Sequence, residues 1–328
     1  MIGRSKLGHL GLLTSGGDSP GMNAAIRAVV RGAHVHGLKV TGFLGGFDGL
    51  VNGHHRSLGP RDVSNIIQRG GTMLRSARSS AFMTAEGRAM AAVVLHDLGV
   101  DALVVVGGNG TFAGAEVFQK EHGVPAVGLP ATIDNDLKGT DRSIGYDTAI
   151  NTAVEAMDRI RDTASSHDRL FFVEVMGRDS GAIALDCAVA AGAEYVLVPE
   201  REEHIDQLIQ AIKGADGAKS SSIVVVAEGE TEGGAFQVAR LVKEHLPHKD
   251  IRVTVIGHVQ RGGSPTVQDR VLASRLGIAA VDALLRGDSN CMMGMINGQV
   301  TATRFSDAII GHRAVDHDLF RVLRILAT

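Results

Sequence analysis

The sequence predicts an α/β protein with a mostly parallel β-sheet and helices on both faces of the sheet. Strand-like apolar runs alternate with helical patterns along the chain. The run Ala102-Leu103-Val104-Val105-Val106 is apolar at every position, which is typical of a strand buried on both sides. The 42 glycines cluster at predicted strand ends. At 328 residues, the chain is long enough for two domains that share a cleft or for one large α/β unit.

The predicted elements come in pairs, each strand leading into a helix, as expected of parallel βαβ units. The pairs are His9–Leu13 with Gly21–Ala33, Asp101–Val106 with Thr111–Glu121, Leu170–Val175 with Gly181–Ala191, and Ile223–Ala227 with Gly234–His245. From Thr148 to Ala164 apolar residues recur at helical spacing, which predicts an amphipathic helix. The tail from Ile309 to Thr328 is predicted to close the chain as a helix.

Composition excludes several classes of function. The net charge is -3 with scattered basic residues, and aromatic residues make up 4% with no Trp, so neither a basic stripe nor a base-stacking surface for nucleic acid is expected. Cys187 and Cys291 lie far apart with no metal-ligand spacing, which indicates buried thiols in a reducing compartment. The apolar stretch near the N-terminus breaks at Gly16, and no run is long enough to span a membrane. We therefore expect a soluble, cytoplasmic protein.

Two predicted strands each end in a glycine loop that opens a helix. The first loop contains Ser15-Gly16-Gly17-Asp18, and the second is Gly107-Gly108-Asn109-Gly110-Thr111. Backbone N–H groups and the positive end of a helix meet phosphate at such junctions, although glycines there also serve simple chain reversal. The first loop lacks the lysine of a Walker loop and the spacing of a dinucleotide fingerprint. Together the two loops favour a nucleotide at a topological switch point.

A third junction carries two carboxylates. Thr132-Ile133-Asp134-Asn135-Asp136 follows the apolar run from Val124 to Leu129. One acid can accept a proton from a hydroxyl while the other helps to hold a divalent cation, which is the chemistry of phosphoryl transfer. The structural alternative is an Asx-turn and a helix N-cap before Leu137.

Taken in order, these motifs resemble those of bacterial-type ATP-dependent 6-phosphofructokinases, the phosphofructokinase A family. The matching stretches run from Gly11 to about Leu285. Besides the three junctions, they include Glu174-Val175-Met176-Gly177-Arg178 and Gly257-His258-Val259-Gln260-Arg261-Gly262-Gly263-Ser264-Pro265. The resemblance implies two Rossmann-like three-layer α/β/α domains with mostly parallel sheets and the active site in the cleft between them. Residues 1–146 plus 260–308 would form the larger, ATP-binding domain, and residues 147–259 plus 309–328 the smaller, sugar-phosphate-binding domain.

The resemblance implies a glycolytic kinase reaction, in which MgATP phosphorylates the 1-hydroxyl of fructose 6-phosphate to give fructose 1,6-bisphosphate and ADP. Asp134 would be the base that takes the hydroxyl proton, with Thr132 and Asp136 beside it. Arg78 and Arg178 would neutralise charge on the transferring phosphoryl group.

The resemblance also implies binding sets. The expected ATP site comprises Gly16, Gly17, Arg78, Gly108, Asn109, Gly110 and Thr111. The expected sugar-phosphate site comprises Thr132, Asp134, Asp136, Arg169, Met176, Gly177, Arg178, Glu228, Arg252, His258 and Arg261. In the family, the residues matching Arg169 and Arg252 reach the phosphate across a subunit boundary, which implies a homotetramer with shared active sites. An allosteric site for ADP or phosphoenolpyruvate would use Arg27, Arg31, Arg161, Glu194 and Lys219, with a solvated helix face as the alternative for the first two.

Three small or uncharged residues bear on the cofactor. Gly110 and Ala131 stand where pyrophosphate-using relatives typically carry Asp and Lys, which favours ATP over the alternative donor, pyrophosphate. Asn109 stands where the family usually has a magnesium-associated Asp, so Asn109 and Asp136 would be the protein ligands of Mg²⁺. Weaker metal binding is expected, because an amide oxygen carries no charge. Two interpretations stay open: an active kinase with a raised magnesium requirement, or a weakly active paralogue kept for regulation.

Overall fold

The structure is a computed structural model that describes residues 7–164, 169–201, 205–215, 221–310 and 316–327. Its contacts divide the chain into two compact units, each built from separate chain segments. Unit 1 comprises Met1–Ile133, Leu137–Asp147 and Arg261–Gly311, and unit 2 comprises Asp134–Asp136, Thr148–Gln260 and His312–Thr328.

The described part of unit 1 contains a seven-stranded sheet with parallel strands at its centre and an antiparallel strand at each edge. Its strands are β1 (His9–Thr14), β2 (Lys39–Phe43), β3 (His55–Ser57), β4 (Ala102–Gly107), β5 (Ala126–Pro130), β10 (Cys291–Ile296) and β11 (Gln299–Arg304). Their order across the sheet is β11-β10-β5-β4-β1-β2-β3. Its helices are α1 (Met22–Val35), α2 (Gly46–Val51), α3 (Ala85–Leu98), α4 (Asn109–His122), α9 (Val267–Arg286) and α10 (Phe305–Ile309), with a 3-10 turn at Ala81–Met83.

Strand β4 is buried on both sides, as its unbroken apolar run predicts. Val104 and Val106 belong to a core that includes α1 and α9 residues, whereas Leu103 and Val105 belong to a second core with Phe112 of α4. Successive side chains of a strand point to opposite faces, so helices must cover both faces of this sheet. The predicted α/β class is thereby confirmed.

Helices α1 and α9 pack closely on one face of that sheet. A Cβ atom placed on Gly277 of α9 would lie 2.6 Å from the Cβ of Ala28 and 3.2 Å from the Ala25 carbonyl oxygen, both on α1. The helix backbones approach to a distance that leaves no room for a methyl group at this position.

Unit 2 has a four-stranded sheet among its described residues, and every strand is parallel to its neighbours. Its strands are β6 (Arg169–Val175), β7 (Tyr195–Leu197), β8 (Ser221–Ala227) and β9 (Asp250–Val255), in the order β7-β8-β6-β9. Its helices are α6 (Ala182–Ala190), α7 (Ile205–Ala215), α8 (Gly234–His245) and α11 (His317–Leu326), with a 3-10 helix at Gly257–Arg261 whose last residue belongs to unit 1. A core of β6, β8, α7 and α8 side chains, including Phe172, Val224 and Leu208, holds the unit together.

Two element predictions meet different outcomes. The amphipathic helix predicted from Thr148 to Ala164 is confirmed as α5 (Tyr146–Ala164). The prediction of one helix across the whole tail is wrong, because α11 begins only at His317, where Asp316 caps it by accepting hydrogen bonds from the backbone N–H groups of Asp318 and Leu319. In the parts of the chain that the structure describes, no helix is both long and apolar enough to cross a membrane.

Candidate active site

The topology of unit 1 places the ends of three strands, each followed by a predicted motif, at one edge of its sheet. β4 lies between β1 and β5, and all three strands are parallel, so their carboxyl ends lie side by side. The chain leaves β1 toward β2 on one side and leaves β4 toward β5 on the other. The switch point of the sheet therefore lies between β1 and β4, the position at which α/β sheets bind ligands.

The two glycine loops touch each other at this switch point. Ser15 N donates to Val106 O at 3.0 Å, and Thr111 Oγ1 donates to Ser15 O at 3.1 Å. A Cβ atom on Gly107 would lie only 2.4 Å from the same Ser15 oxygen. The loops can approach so closely only because residue 107 has no side chain.

Two helix N-termini face this edge without a side-chain cap. Helix α1 follows Gly21 and helix α4 follows Gly108, and neither N-cap makes a side-chain hydrogen bond. A Cβ atom on Gly110 would meet no atom within 4 Å, so the first turn of α4 borders open space. Exposed N–H groups and the helix dipole suit this region to phosphate.

The loop after β5 lies beside the loop after β4. A Cβ atom on Gly108 would be 3.5 Å from Thr132 Cβ, and Ser143 Oγ donates to Thr132 O at 2.6 Å. Asp134 and Asp136, which belong to unit 2, are 3% and 8% exposed. The described stretch 131–145 contains no helix, which contradicts the alternative that the pair merely caps a helix before Leu137.

Two predicted arginines of unit 1 have different surroundings. The Arg261 guanidinium lies on the first glycine loop, since its Nη1 donates to Asp18 O at 3.3 Å and would be 2.8 Å from a Cβ atom on Gly17. Arg78 is exposed in an irregular segment. Arg261, expected at the sugar, thus contacts the loop expected to bind the nucleotide.

Unit 2 brings a second group together at the carboxyl edge of its own sheet. Three consecutive N–H groups after β6 donate to two side chains: Met176 N to Gln260 Oε1 at 2.8 Å, and Gly177 N and Arg178 N to Glu228 Oε1 at 3.2 and 2.7 Å. Arg178 has a φ of 53°, an uncommon conformation for a residue with a side chain. Glu228 therefore fixes the backbone of the loop, a role that the sequence did not indicate.

Arg169 and Arg252 do not join that group. Arg169 is the first residue of β6 and Arg252 is the third residue of β9, whereas the loop with Arg178 follows the last residue of β6. At a strand rise of about 3.3 Å per residue, β6 separates the two ends by roughly 20 Å. Predicted sugar-phosphate residues of a single unit are thus divided between opposite edges of its sheet. The remaining member, His258, is exposed in the 3-10 helix after β9.

The predicted effector residues that the structure describes are divided between the two units. In unit 2, Arg161 Nη2 donates to Ala191 O and Gly192 O at 2.9 and 2.8 Å, beyond the end of α6, and Glu194 Oε2 accepts from Ile223 N. In unit 1, Arg27 and Arg31 lie one turn apart on α1. Lys219 lies outside the described residues.

The predicted metal donors are too few to enclose a magnesium ion by themselves, but they suit an ion that is also bound by phosphate oxygens. In the described ranges, no three His, Cys, Asp or Glu side chains form a group that could hold a metal ion. Asn109 is the first residue of α4 in unit 1, and Asp136, in unit 2, follows β5 in the chain. Mg²⁺ commonly takes one or two protein oxygens and completes its shell with phosphate and water.

Sequence reasoning missed the parts played by Gln260 and Asp250. Gln260 is fully buried, and its Oε1 holds the Met176 backbone. Asp250 pairs with Arg169 and Arg252 at 2.9 and 3.1 Å. Gln260 immediately precedes Arg261 in the family-like stretch from Gly257 to Pro265, and this position could have indicated its importance. Nothing in the local sequence distinguishes Asp250 from other surface acids.

Comparison with known proteins identifies the family. Residues 9–284 match the phosphofructokinase family. The chain is 53% identical over 97% of its length to the "ATP-dependent 6-phosphofructokinase 2" of Bacteroides thetaiotaomicron and to the "ATP-dependent 6-phosphofructokinase 1" of Thermus thermophilus, covering 98% and 99% of those chains.

Solved structures of phosphofructokinases have the same fold as this chain. The phosphofructokinase of Pichia pastoris superposes with a TM-score of 0.87 at 34% identity over 92% of this chain, which spans 35% of that larger chain. The pyrophosphate-dependent phosphofructokinase of Marinobacter aquaeolei, at 21% identity and a TM-score of 0.83 over 98% of this chain and 92% of its own, shares the fold. With its motifs at the strand ends described above, this chain belongs to the phosphofructokinase family.

Proposed function

We propose that this chain is an ATP-dependent 6-phosphofructokinase, a glycolytic transferase that phosphorylates the 1-hydroxyl of fructose 6-phosphate in the cytoplasm. The observation that carries the proposal is 53% identity, over nearly the full length, with chains named for that activity. The paired glycine loops and uncapped helices at the switch point of unit 1 support a nucleotide there.

In the proposed reaction, Asp134 accepts the proton of the sugar 1-hydroxyl as that oxygen attacks the γ-phosphorus, and ADP leaves. The phosphoryl group carries the negative charge of the transition state, so catalysis depends on positioning and on nearby positive charge. Arg78 and Arg178 are the proposed sources of that charge, and Thr132 and Asp136 the proposed neighbours of the base. Mg²⁺, when bound with ATP, would neutralise phosphate charge, and Asn109 and Asp136 are its proposed protein donors.

ATP is favoured over pyrophosphate as the donor. Gly110 leaves open space at the first turn of α4, and Ala131 is buried without charge. The resemblance places Asp and Lys at these positions in pyrophosphate-using relatives, where they would occupy space needed by the rest of a nucleotide.

We further propose a homotetramer with shared active sites. Arg169 is the first residue of β6 and Arg178 follows its last, while Arg252 lies on β9 at the level of Phe171. This spread along the sheet supports an arrangement in which Arg169 and Arg252 serve the site of another subunit. A second copy of the chain would supply the missing pair. ADP or phosphoenolpyruvate at a separate effector site stays a proposal that rests on the resemblance.

A second candidate is a weakly active regulatory subunit, and the uncharged Asn109 is the observation that favours it. A coupled assay of the purified chain with ATP and pyrophosphate in parallel, across a magnesium series, tests both. Turnover of fructose 6-phosphate with ATP supports the kinase. Binding of the sugar without turnover at any magnesium concentration would favour the regulatory role, and faster turnover with pyrophosphate would reverse the donor assignment.

A further inference from the structure

Three charged side chains share one face at the amino end of the unit 2 sheet. Strands β6 and β9 are parallel neighbours, and Arg169 pairs in register with Asp250 while Phe171 pairs with Arg252. Because side chains two residues apart point to the same face of a strand, Asp250 and Arg252 lie together, with Arg169 directly opposite.

A single carboxylate holds both arginines. Arg169 Nε donates to Asp250 Oδ2 at 2.9 Å, and Arg252 Nη2 donates to the same oxygen at 3.2 Å. Each bond uses one of the five N–H donors of a guanidinium, which leaves further donors for an anion with several oxygen acceptors. The Arg169 and Arg252 side chains are 25% and 55% exposed, so an anion can reach them.

We propose that Asp250 is a positioning residue for the phosphate of the sugar substrate, because it holds the Arg169 and Arg252 guanidinium groups side by side before the phosphate arrives. The inference rests on the proposed function and adds a residue that the family resemblance did not assign. Two guanidinium groups brought together repel each other, and each long side chain loses rotamer freedom when it binds an anion. Asp250 offsets the repulsion and has already restricted both side chains.

The same carboxylate also repels an incoming phosphate, so the two effects must be weighed. Asp250 is 43% exposed and faces water, where charge–charge repulsion is screened. The preorganised arginines would hydrogen-bond the phosphate themselves, whereas Asp250 would act on it only through space, so the effect of the arginines should be larger. The hydrogen bond from Arg169, together with the charge of Arg252, lowers the pKa of the Asp250 carboxyl, so the carboxylate stays charged also in mildly acidic solution.

The test is Asp250→Asn in the full chain, which keeps the shape of the side chain and removes its charge. Calorimetry should show about tenfold weaker binding of fructose 6-phosphate, the order expected when two side chains must be ordered on binding. KM for the sugar phosphate should rise in parallel, while kcat and KM for ATP stay within twofold. Asp250→Glu should restore most of the affinity. Asp288→Asn, which removes a similarly exposed carboxylate paired with Arg286 at 3.0 Å, is the matched control and should change neither constant.

A substrate that lacks the phosphate tests whether Asp250 acts specifically on phosphate binding. Fructose, which lacks the phosphate, should be phosphorylated equally slowly by the parent chain and by Asp250→Asn. Unchanged affinity for fructose 6-phosphate in Asp250→Asn would overturn the proposal, and tighter binding would overturn it too, because it would make Asp250 a competitor of the phosphate. Since calorimetry needs no turnover, a parent chain that binds the sugar phosphate but never phosphorylates it refutes the proposed function and leaves this measurement valid.

Discussion

Asp134 combines near-complete burial with a position two residues beyond Thr132, which contacts the glycine loop after β4. A general base must lie within hydrogen-bond reach of the proton that it takes, so replacing Asp134 tests the proposed role directly.

Replacing the proposed base gives the first prediction. Asp134→Ser should lower kcat by about 100- to 10,000-fold, the usual contribution of a positioned general base, while the Kd for fructose 6-phosphate changes little. Steady-state kinetics and calorimetry measure the two quantities. The control is Asp97→Ser, which removes a carboxylate that is 71% exposed on α3. Near-normal turnover in Asp134→Ser would remove this residue from the base role.

Asn109 gives the second prediction. Asn109→Asp should lower the magnesium concentration that supports half-maximal rate by several-fold, because a carboxylate binds Mg²⁺ more strongly than an amide oxygen. A magnesium titration of the coupled assay measures this. Asn297→Asp adds the same charge at the turn between β10 and β11 and should leave the titration unchanged. An identical curve for the parent chain and Asn109→Asp would show that the metal does not depend on this position.

At the scale of elements, the contact between α1 and α9 depends on one glycine. Gly277→Ala should destabilise the protein by about 1–3 kcal/mol, the usual cost of overpacking, because the new methyl group would meet Ala28 on α1. Gly214→Ala on α7 is the matched control: a Cβ atom there meets nothing within 4 Å, so alanine should stabilise by about 0.5–1 kcal/mol. Urea unfolding of both variants gives the comparison, and equal stability of Gly277→Ala and the parent chain would contradict this packing.

The elements that the sequence predicts well are those with a strong periodic signal. β4 is apolar at every position, and α5 has one apolar face, so both were predictable. Helix α9 was not predicted, because it buries small residues such as Ala273 and Gly277 and exposes Val267 and Val271, which blurs the pattern. The tail was misjudged because its cap at Asp316 was overlooked.

At the scale of the whole molecule, both thiols lie in the interior. Cys187 is fully buried and Cys291 is 7% exposed, and burial raises the pKa of each. Because the thiolate is the reactive form, neither should react with Ellman's reagent in the native protein at pH 8, and both should react in urea. Asp97→Cys, at an exposed site, should react at once and shows that the reagent is active. Rapid native labelling of the parent chain would contradict the burial.

The site was predictable in parts. Parallel topology already implied that the glycine loops after β1 and β4 meet, since carboxyl ends of neighbouring strands share one edge. The separation of Arg169 from Arg178 also follows from the predicted strand Leu170–Val175, because Arg169 stands before its first residue and Arg178 after its last. The hydrogen bonds of Glu228 and Gln260 to the Met176–Arg178 loop required coordinates, because they join residues 50 and 84 positions apart.

The interrupted course of unit 1 has a consequence for the nascent chain. Its sheet receives β10 and β11, and its helix layer receives α9, only from residues after 261. During synthesis, the first 147 residues therefore leave the ribosome before their packing partners have been made. The edge of β5 stays unpaired and the apolar face of α1 stays uncovered while more than a hundred further residues are synthesised. Unit 1 can complete its sheet and its helix layer only after α9, β10 and β11 have been translated.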